Sequence, residues 1–330
     1  MIKIDGSDGG GQILRSALAL SAITKKPFEI VNIRGSRDKG GLKQQHLEGV
    51  KAMVSICNAD VKDAFIGSKE LSFTPRDISG GDYKIDIGTA GSITLVLQTL
   101  IPALLFADKK TYLEIKGGTD VKWSPSFDYY YNIPIRYLEM FNVDLNLELI
   151  KRGFYPKGNG IVKLEINPCR KLRVLNLIER GNFERIDLFN YATKDLEKAD
   201  VIERQKKGFE EEMKETYHMN GYVDALSTGT VMHAHAHYEK CILGVDILGE
   251  KGKKAEDIGK ELAKKLKFEI NSKATVDQYM ADQILIFMAL AKEGSFITSK
   301  ITDHVLNNIK VIEKFLNVKF KIEDNKVSVC

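Results

Sequence analysis

The strongest constraint on this chain is a recurring unit of apolar helix, short strands and glycine-rich turn, repeated about every 70–90 residues. The breaks fall at Asp5-Gly6, Gly40-Gly41, Gly80-Gly81, Gly117-Gly118 and the GNG at 158–160. Helical spacing of apolar residues covers 12–23, 42–57, 92–106 and 127–141. Strand-like stretches fall at 28–33, 64–66, 71–74, 83–87 and 112–116. Periods that alternate in this way predict an α+β (α/β two-layer) architecture. Near Arg180 the composition shifts. A charged helix is expected over 194–214, a strand pair at 222–227 and 231–238, and a second charged helix at 254–267; apolar helices resume at 275–290 and 305–316. The expected organisation is a discontinuous large domain, 1–180 plus 273–330, built from about three units of a four-stranded sheet with two helices. A smaller α/β insert domain would occupy 181–272.

Composition excludes several classes. With 43% hydrophobic and 28% charged residues, the chain reads as soluble and globular. Its most apolar stretch, 93–107, is interrupted by Thr94, Gln98 and Thr99, which suits a buried helix and not a membrane span. The N-terminus lacks the apolar core of a signal peptide. Cys57, Cys169, Cys241 and Cys330 are scattered with no CxxC pair, which fits reduced thiols in the cytoplasm better than disulfides or a zinc-thiolate site.

Four groups of residues invite chemistry. Gly6, Gly9, Gly10 and Gly11 precede a helix-forming run, so the backbone can approach a ligand and the helix N–H groups can face an anion. Neither GxGxxG nor GxxxxGK[ST] is present, and a ligand-free tight turn reads equally well. Arg34, Arg37, Lys39 and Lys43 lead into His46, forming either a phosphate or nucleic-acid patch or a solvated loop. His304 follows Thr302 and Asp303 at a helix start. There the dipole favours the neutral imidazole, a competent nucleophile toward phosphorus, although a capping or surface histidine fits as well. Asp282 and Gln283 stand where an apolar helix face begins, so the carboxylate needs a ribose hydroxyl, an arginine, a metal or a structural salt-bridge partner. His233, His235 and His237 alternate with alanine and share one strand face. A metal site is tempting there, but their spacing of roughly 6–7 Å strains three-way chelation. A solvent-facing edge is expected, outside any site.

Taken in order, these blocks resemble the RNA 3'-terminal phosphate cyclase family. The resemblance is carried by GGGQILR (9–15), the segment from Arg37 to His46, GGDYKIDIGTAGSITLVLQTLIPAL (80–104), GGTD (117–120), GFYPKGNG (153–160), YMADQILIFMALA (279–291) and DHVLNNIKVIEKFL (303–316). The matches are collinear from end to end, with the insert where that family carries its small domain.

The resemblance implies ATP-dependent conversion of an RNA 3'-phosphate end to a 2',3'-cyclic phosphodiester. The steps are a covalent histidine–AMP, an RNA(3')pp(5')A end, and attack by the vicinal 2'-hydroxyl. It places His304 as nucleophile and gives Arg15, Arg37 and His46 to phosphates. Gln98, Tyr279, Met280, Ala281, Asp282 and Gln283 would contact the nucleotide, Pro125 and Tyr129 would pack against adenine, and Asp8 with Mg²⁺ or Mn²⁺ would serve the triphosphate. Three departures stand out. The first loop is about two residues short with Asp8 in place of glutamate, Gly40-Gly41 replaces Pro-Gly, and Asn307 replaces threonine. Two rivals follow from the same resemblance. One is a non-catalytic cyclase-like RNA-binding protein of ribosome assembly, a branch that lacks the histidine. The other is an enolpyruvyl-type transferase, which would need a Lys- and Arg-rich phosphoenolpyruvate site.

Overall fold

The computed structural model describes residues 1–214 and 216–329, which leaves Cys330 outside the described residues. Three stretches of chain repeat one topology. The first runs β1 (Ile2–Asp5), α1 (Gly11–Thr24), β2 (Phe28–Val31), α2 (Gln44–Cys57), β3 (Asp60–Lys62) and β4 (Leu71–Thr74). The second runs β5 (Asp82–Asp86), α3 (Ile93–Leu104), β6 (Thr111–Gly117), the helix pair α4 (Phe127–Asn132) and α5 (Pro134–Met140), then β7 (Leu145–Lys151) and β8 (Gly160–Ile166). The third opens with β9 (Leu175–Leu177). It is then interrupted by β10 (Phe183–Thr193), a 3-10 turn (Lys194–Ala199), α6 (Val201–Glu210), β11 (Tyr217–Val223), β12 (Thr230–Tyr238), β13 (Ile242–Leu248) and α7 (Ala255–Asn271). It resumes with α8 (Ala281–Ala291), β14 (Gly294–Ile297), α9 (Asp303–Phe315), β15 (Phe320–Glu323) and β16 (Lys326–Val329).

The sheet orders are β1-β2-β4-β3, β5-β6-β8-β7 and β9-β14-β16-β15. In each, the first two strands are parallel and the other pairs antiparallel. A parallel pair needs a crossover, and the apolar helices α1, α3 and α8 supply it. The fold is therefore α+β, with the interruption inside the first crossover of the third unit. Helices from all three units touch: α1 meets α2, α3 and α9, while α3 and α9 both meet α8. Their buried faces and the inner sheet faces form one apolar cluster, from Ile4 to Val329. β6 illustrates the sheet side, alternating buried and outward residues along its length.

The segment between β9 and α8 has its own sheet, β11-β10-β12-β13, and its own apolar cluster against α6 and α7. Here the structure corrects the expected local reading. The expected strand at 222–227 is β11, lying further back in the chain, and it pairs in parallel with β10 and not with β12. β12 is a central strand, and His233 and His235 are buried. The expected solvent edge is absent because both sheet faces are covered: Ala234 and Ala236 face the helices, and the histidine face packs on α4, with His233 edge-on to Tyr129 at 5.8 Å. Elsewhere, 64–66 is not a strand, β3 lying just before it, and Pro134 divides the helix expected over 127–141.

Candidate active site

Three helix starts and the middle of a fourth helix converge on one cleft of about 840 Å³, within the range of small-molecule sites. α9 begins with Thr302, whose hydroxyl accepts the Val305 N–H at 3.3 Å, and this places His304 in the first helical turn. The imidazole is 46% exposed, with Nδ1 3.8 Å from Oδ2 of Asp282 in the first turn of α8. That gap exceeds a hydrogen bond, so the pair is an electrostatic contact that leaves the ring accessible. Arg15, on α1, and Gln98, on α3, complete this wall. Gln98 donates to Oε1 of Gln283 at 2.7 Å, and Gln283 donates to the Tyr279 carbonyl at 2.7 Å. Pro125, Tyr129 and Tyr279 also line the cleft.

Electrostatics follow from burial. Burial raises the Asp282 carboxyl, while His304 and Arg15 oppose the rise. Burial pulls the Arg15 guanidinium down to about 10, and Asp282 opposes that, so Arg15 remains a cation at neutral pH. Asp277 lies in the loop before α8 and is pushed up to about 7, chiefly by burial and secondarily by Glu269. It accepts the Tyr129 hydroxyl at 2.7 Å, the Gly244 N–H of β13 at 3.0 Å, and the N–H groups of Tyr279 and Met280.

The remaining expected residues lie off the cleft. Met280 and Ala281 are buried because α8 begins there and turns its apolar face inward; Met280 lines a small neighbouring cavity of about 50 Å³. His46 is buried beside Gly11, where a Cβ would fall 2.3 Å from its Nε2. Its Nδ1 accepts the Lys43 N–H at 3.1 Å, so the proton sits on Nε2. Burial, then Arg15, Arg34 and Lys43, pulls its basicity down to about 3. His46 is thus a neutral donor and not a cation. Arg37 is exposed, its guanidinium 3.5 Å from where a Gly10 Cβ would stand. Asp8 is exposed, and its carbonyl accepts the Asn307 amide at 3.1 Å, tying the first loop to α9.

The residues present fit a nucleotide. The glycine run packs directly against Gln12, a Gly10 Cβ falling 2.8 Å from its Oε1. The Gln12 Nε2, beside the small neighbouring cavity, is buried without a partner among the described residues, a donor still to be satisfied. A divalent ion fits less directly. Asp8 belongs to no cluster of three metal-capable side chains among the described residues, so it would hold Mg²⁺ or Mn²⁺ only together with phosphate oxygens and water.

Sequence reasoning missed part of the wall. Trp123, the only tryptophan, is 90% exposed at φ +65°, three residues after the GGTD segment. Lys300 lines the cleft just before the start of α9, and Asp246 and Lys265 enter it from β13 and α7. An unpaired tryptophan between two glycine-rich blocks was a legible signal. The contribution of a segment tens of residues away was not.

The family profile described as RNA 3'-terminal phosphate cyclase matches residues 7–322. The chain is 41% identical to the RNA 3'-terminal phosphate cyclase of Pyrococcus furiosus, over 98% of this chain and 95% of that one. It is 43% identical to the protein of that name from Sulfurisphaera tokodaii, over 99% and 97% of the two chains. With the one from Archaeoglobus fulgidus it shares 41% identity over the whole of both.

Proposed function

The chain belongs to the RNA 3'-terminal phosphate cyclase family, and on that premise we propose that it converts RNA 3'-phosphate ends to 2',3'-cyclic phosphodiesters at the expense of ATP. The observation that carries this reading is His304, accessible at the capped start of α9 on the rim of a nucleotide-sized cleft, with Arg15 and Asp282 beside it.

The His304 imidazole attacks the α-phosphorus of ATP, and pyrophosphate leaves. Asp282 near Nδ1 stabilises positive charge on the ring during attack, while Arg15 and the α8 and α9 starts draw the triphosphate in. The base and ribose lie along Tyr279, Tyr129, Pro125, Gln98 and Gln283. His46 and Arg37 serve the phosphates, His46 as a neutral N–H donor. A divalent ion at Asp8 would offset charge on the leaving pyrophosphate. An RNA 3'-phosphate oxygen then attacks the AMP phosphorus and releases His304. Finally the adjacent 2'-hydroxyl attacks the terminal phosphate and expels AMP. A chain that lacks the 2'-hydroxyl cannot take this last step.

We also take 181–272 as a small domain set into the one formed by 1–180 and 273–330, supported by its separate apolar cluster. Its side chains Asp246 and Lys265 give it a part in the cleft. No described helix is long and apolar enough to cross a membrane. Free thiols at Cys57, Cys169 and Cys241 support a cytoplasmic setting.

The test is incubation with α-³²P-ATP and Mg²⁺, wild type beside His304→Asn, followed by denaturing electrophoresis. The expected result is an acid-labile, alkali-stable label on the wild type alone, discharged by RNA with a 3'-phosphate. RNA with a 2'-deoxy 3'-phosphate end should accumulate the adenylated form. Label on folded His304→Asn, or none on folded wild type, overturns the covalent step.

A further inference from the structure

The histidine strand carries a convergence of donor atoms that the nucleotide cleft does not use. On β10, Arg185, Asp187 and Phe189 lie directly opposite His237, His235 and His233 of β12. Nε2 of His235 stands 2.8 Å from Nε2 of His237, and Oδ2 of Asp187 lies 2.9 Å from His237 and 3.4 Å from His235. These three atoms face one another within a single small space.

Counting hydrogens shows what that space lacks. The Val245 carbonyl can only accept, so Nδ1 of His233, 3.0 Å away, carries a proton. Neutral His233 then offers a bare Nε2, which must accept from Nδ1 of His235 at 2.7 Å. Neutral His235 is left with a bare Nε2, pointing at the other two atoms. His237 can bring at most one hydrogen to this centre, while Arg185 directs its Nη2 at the same nitrogen from 3.0 Å. On Nε2 that hydrogen reaches only one of the His235 nitrogen and the Asp187 oxygen and opposes the Arg185 N–H; on Nδ1 it leaves the His235 nitrogen with no donor. The relay to Val245 is also the outer arrangement that metal-binding histidines use, the distal ring N–H held by a further acceptor so that the tautomer and ring orientation are set.

We propose that Asp187, His235 and His237 form a binding site for a borderline divalent cation, best matched by Zn²⁺, with water as fourth ligand. Tetrahedral zinc with bonds of about 2.0–2.1 Å has ligand–ligand edges of roughly 3.3 Å. The three observed separations, 2.8, 2.9 and 3.4 Å, approach that triangle and need only modest opening. Spacing of i and i+2 along a strand underestimated this convergence, because the rings lean together, with centroids 4.6 Å apart, and the third ligand comes from the neighbouring strand. Two imidazoles with one carboxylate favour zinc over Mg²⁺, which prefers all-oxygen ligation. The open position lies on the side of His237, 20% exposed, whereas His235 is 2% exposed. Arg185, itself 45% exposed, has room to leave the ring nitrogen while its Nε keeps both Asp187 oxygens at 3.0 and 3.1 Å. The proposal is independent of the cyclase chemistry, since none of these residues lines the nucleotide cleft.

The test titrates the chelator-treated full chain, without nucleotide, with Co²⁺ and Zn²⁺. About one equivalent of Co²⁺ should give the visible absorption of a four-coordinate N/O site without a thiolate charge-transfer band. Zn²⁺ should displace it, millimolar Mg²⁺ should not, and Zn²⁺ should raise the melting temperature. His237→Asn, at the half-open edge, and the isosteric Asp187→Asn should each lose the absorption and the Zn²⁺-dependent shift, with circular dichroism verifying their fold. His304→Asn should keep both. Absence of the four-coordinate spectrum in folded wild type, or its persistence in folded His237→Asn, overturns the site and leaves a proton-only histidine chain.

Discussion

The side-chain amide of Asn308 donates to both the carbonyl and Oδ2 of Asp282, at 3.1 and 3.2 Å. Its own carbonyl accepts the Ser16 hydroxyl at 3.0 Å. One residue, a turn beyond His304, thus fastens α9 to α8 and α1. Asn308→Ala leaves the largely buried Asp282 carboxylate without that donor, at a cost of about 1–3 kcal/mol. We expect a clear fall in melting temperature and roughly tenfold slower transfer of AMP to the protein, read from the initial rate of ³²P incorporation. An unchanged rate would show that core packing alone aligns the nucleophile.

His46 predicts a direction for acid sensitivity. In the unfolded chain its imidazole titrates near the ordinary value of about 6.5. In the folded protein burial holds it down to about 3. As pH falls through this window the unfolded state takes up the proton first, so stability is full above about 6.5 and is lost progressively toward 3. His233, His235 and His237 are also held down by burial and contribute with the same sign. His46→Gln removes only its own part. Urea midpoints measured from pH 7 to 4 should fall less steeply in the variant, and parallel curves would mean that His46 is protonated in the folded state.

What the sequence disclosed follows the range of the forces involved. Apolar helices such as α1, α3 and α9 and their glycine breaks are local, and their centres were legible; so was the repeated unit, because each helix serves a parallel strand pair. β7 and β8 went unassigned although LNLEL and VKLEI alternate as half-buried strands do, so their signal was local and was passed over. The histidine strand misled for a definite reason. Alternating Ala and His looks like one wet face, yet the wet face is covered by α4, a helix roughly a hundred residues earlier in the chain. The burial of Asp277 was not legible likewise, since Tyr129 and Gly244, which hold it, are remote in sequence. His304, Asp282 and Arg15 were legible as chemistry because each breaks a local pattern: a histidine at a cap, a charge on an apolar helix, a cation after glycines.

Trp123 offers an optical reading of the cleft. It is the only tryptophan, it is almost fully exposed, and it lines the cleft beside Ser124 and Pro125. A purine entering that space should stack on or near the indole and change its emission. Titration with ATP should therefore quench or shift the intrinsic fluorescence saturably, in His304→Asn as well, since binding precedes chemistry. Trp123→Phe should change stability by no more than about 0.5 kcal/mol, as expected for a surface position. Saturable ATP binding by calorimetry with no change in emission would place the nucleotide away from this wall.

Arg152 ties the GGTD loop, α4 and the histidine-bearing sheet together. Its guanidinium donates to Oδ2 of Asp120 at 3.1 Å and to Oδ1 of Asp128 at 2.8 Å, and lies 4.0 Å from the ring centre of Tyr191 on β10. All three charged side chains are nearly or fully buried. Removing the cation strands two carboxylates in the interior, so Arg152→Met should cost about 3–5 kcal/mol. For a chain of this length that corresponds to a melting temperature lower by roughly 4–7 °C. Arg152→Lys should recover only a fraction, because a single ammonium cannot span both carboxylates and the ring as a planar fork does. The cause can be separated from lost packing by adding Asp128→Asn to Arg152→Met. If stranded charge dominates, the double variant melts higher than Arg152→Met alone. If it melts at the same temperature, the loss lies in the contact with Tyr191, and the small sheet is held to the GGTD loop by stacking and not by charge.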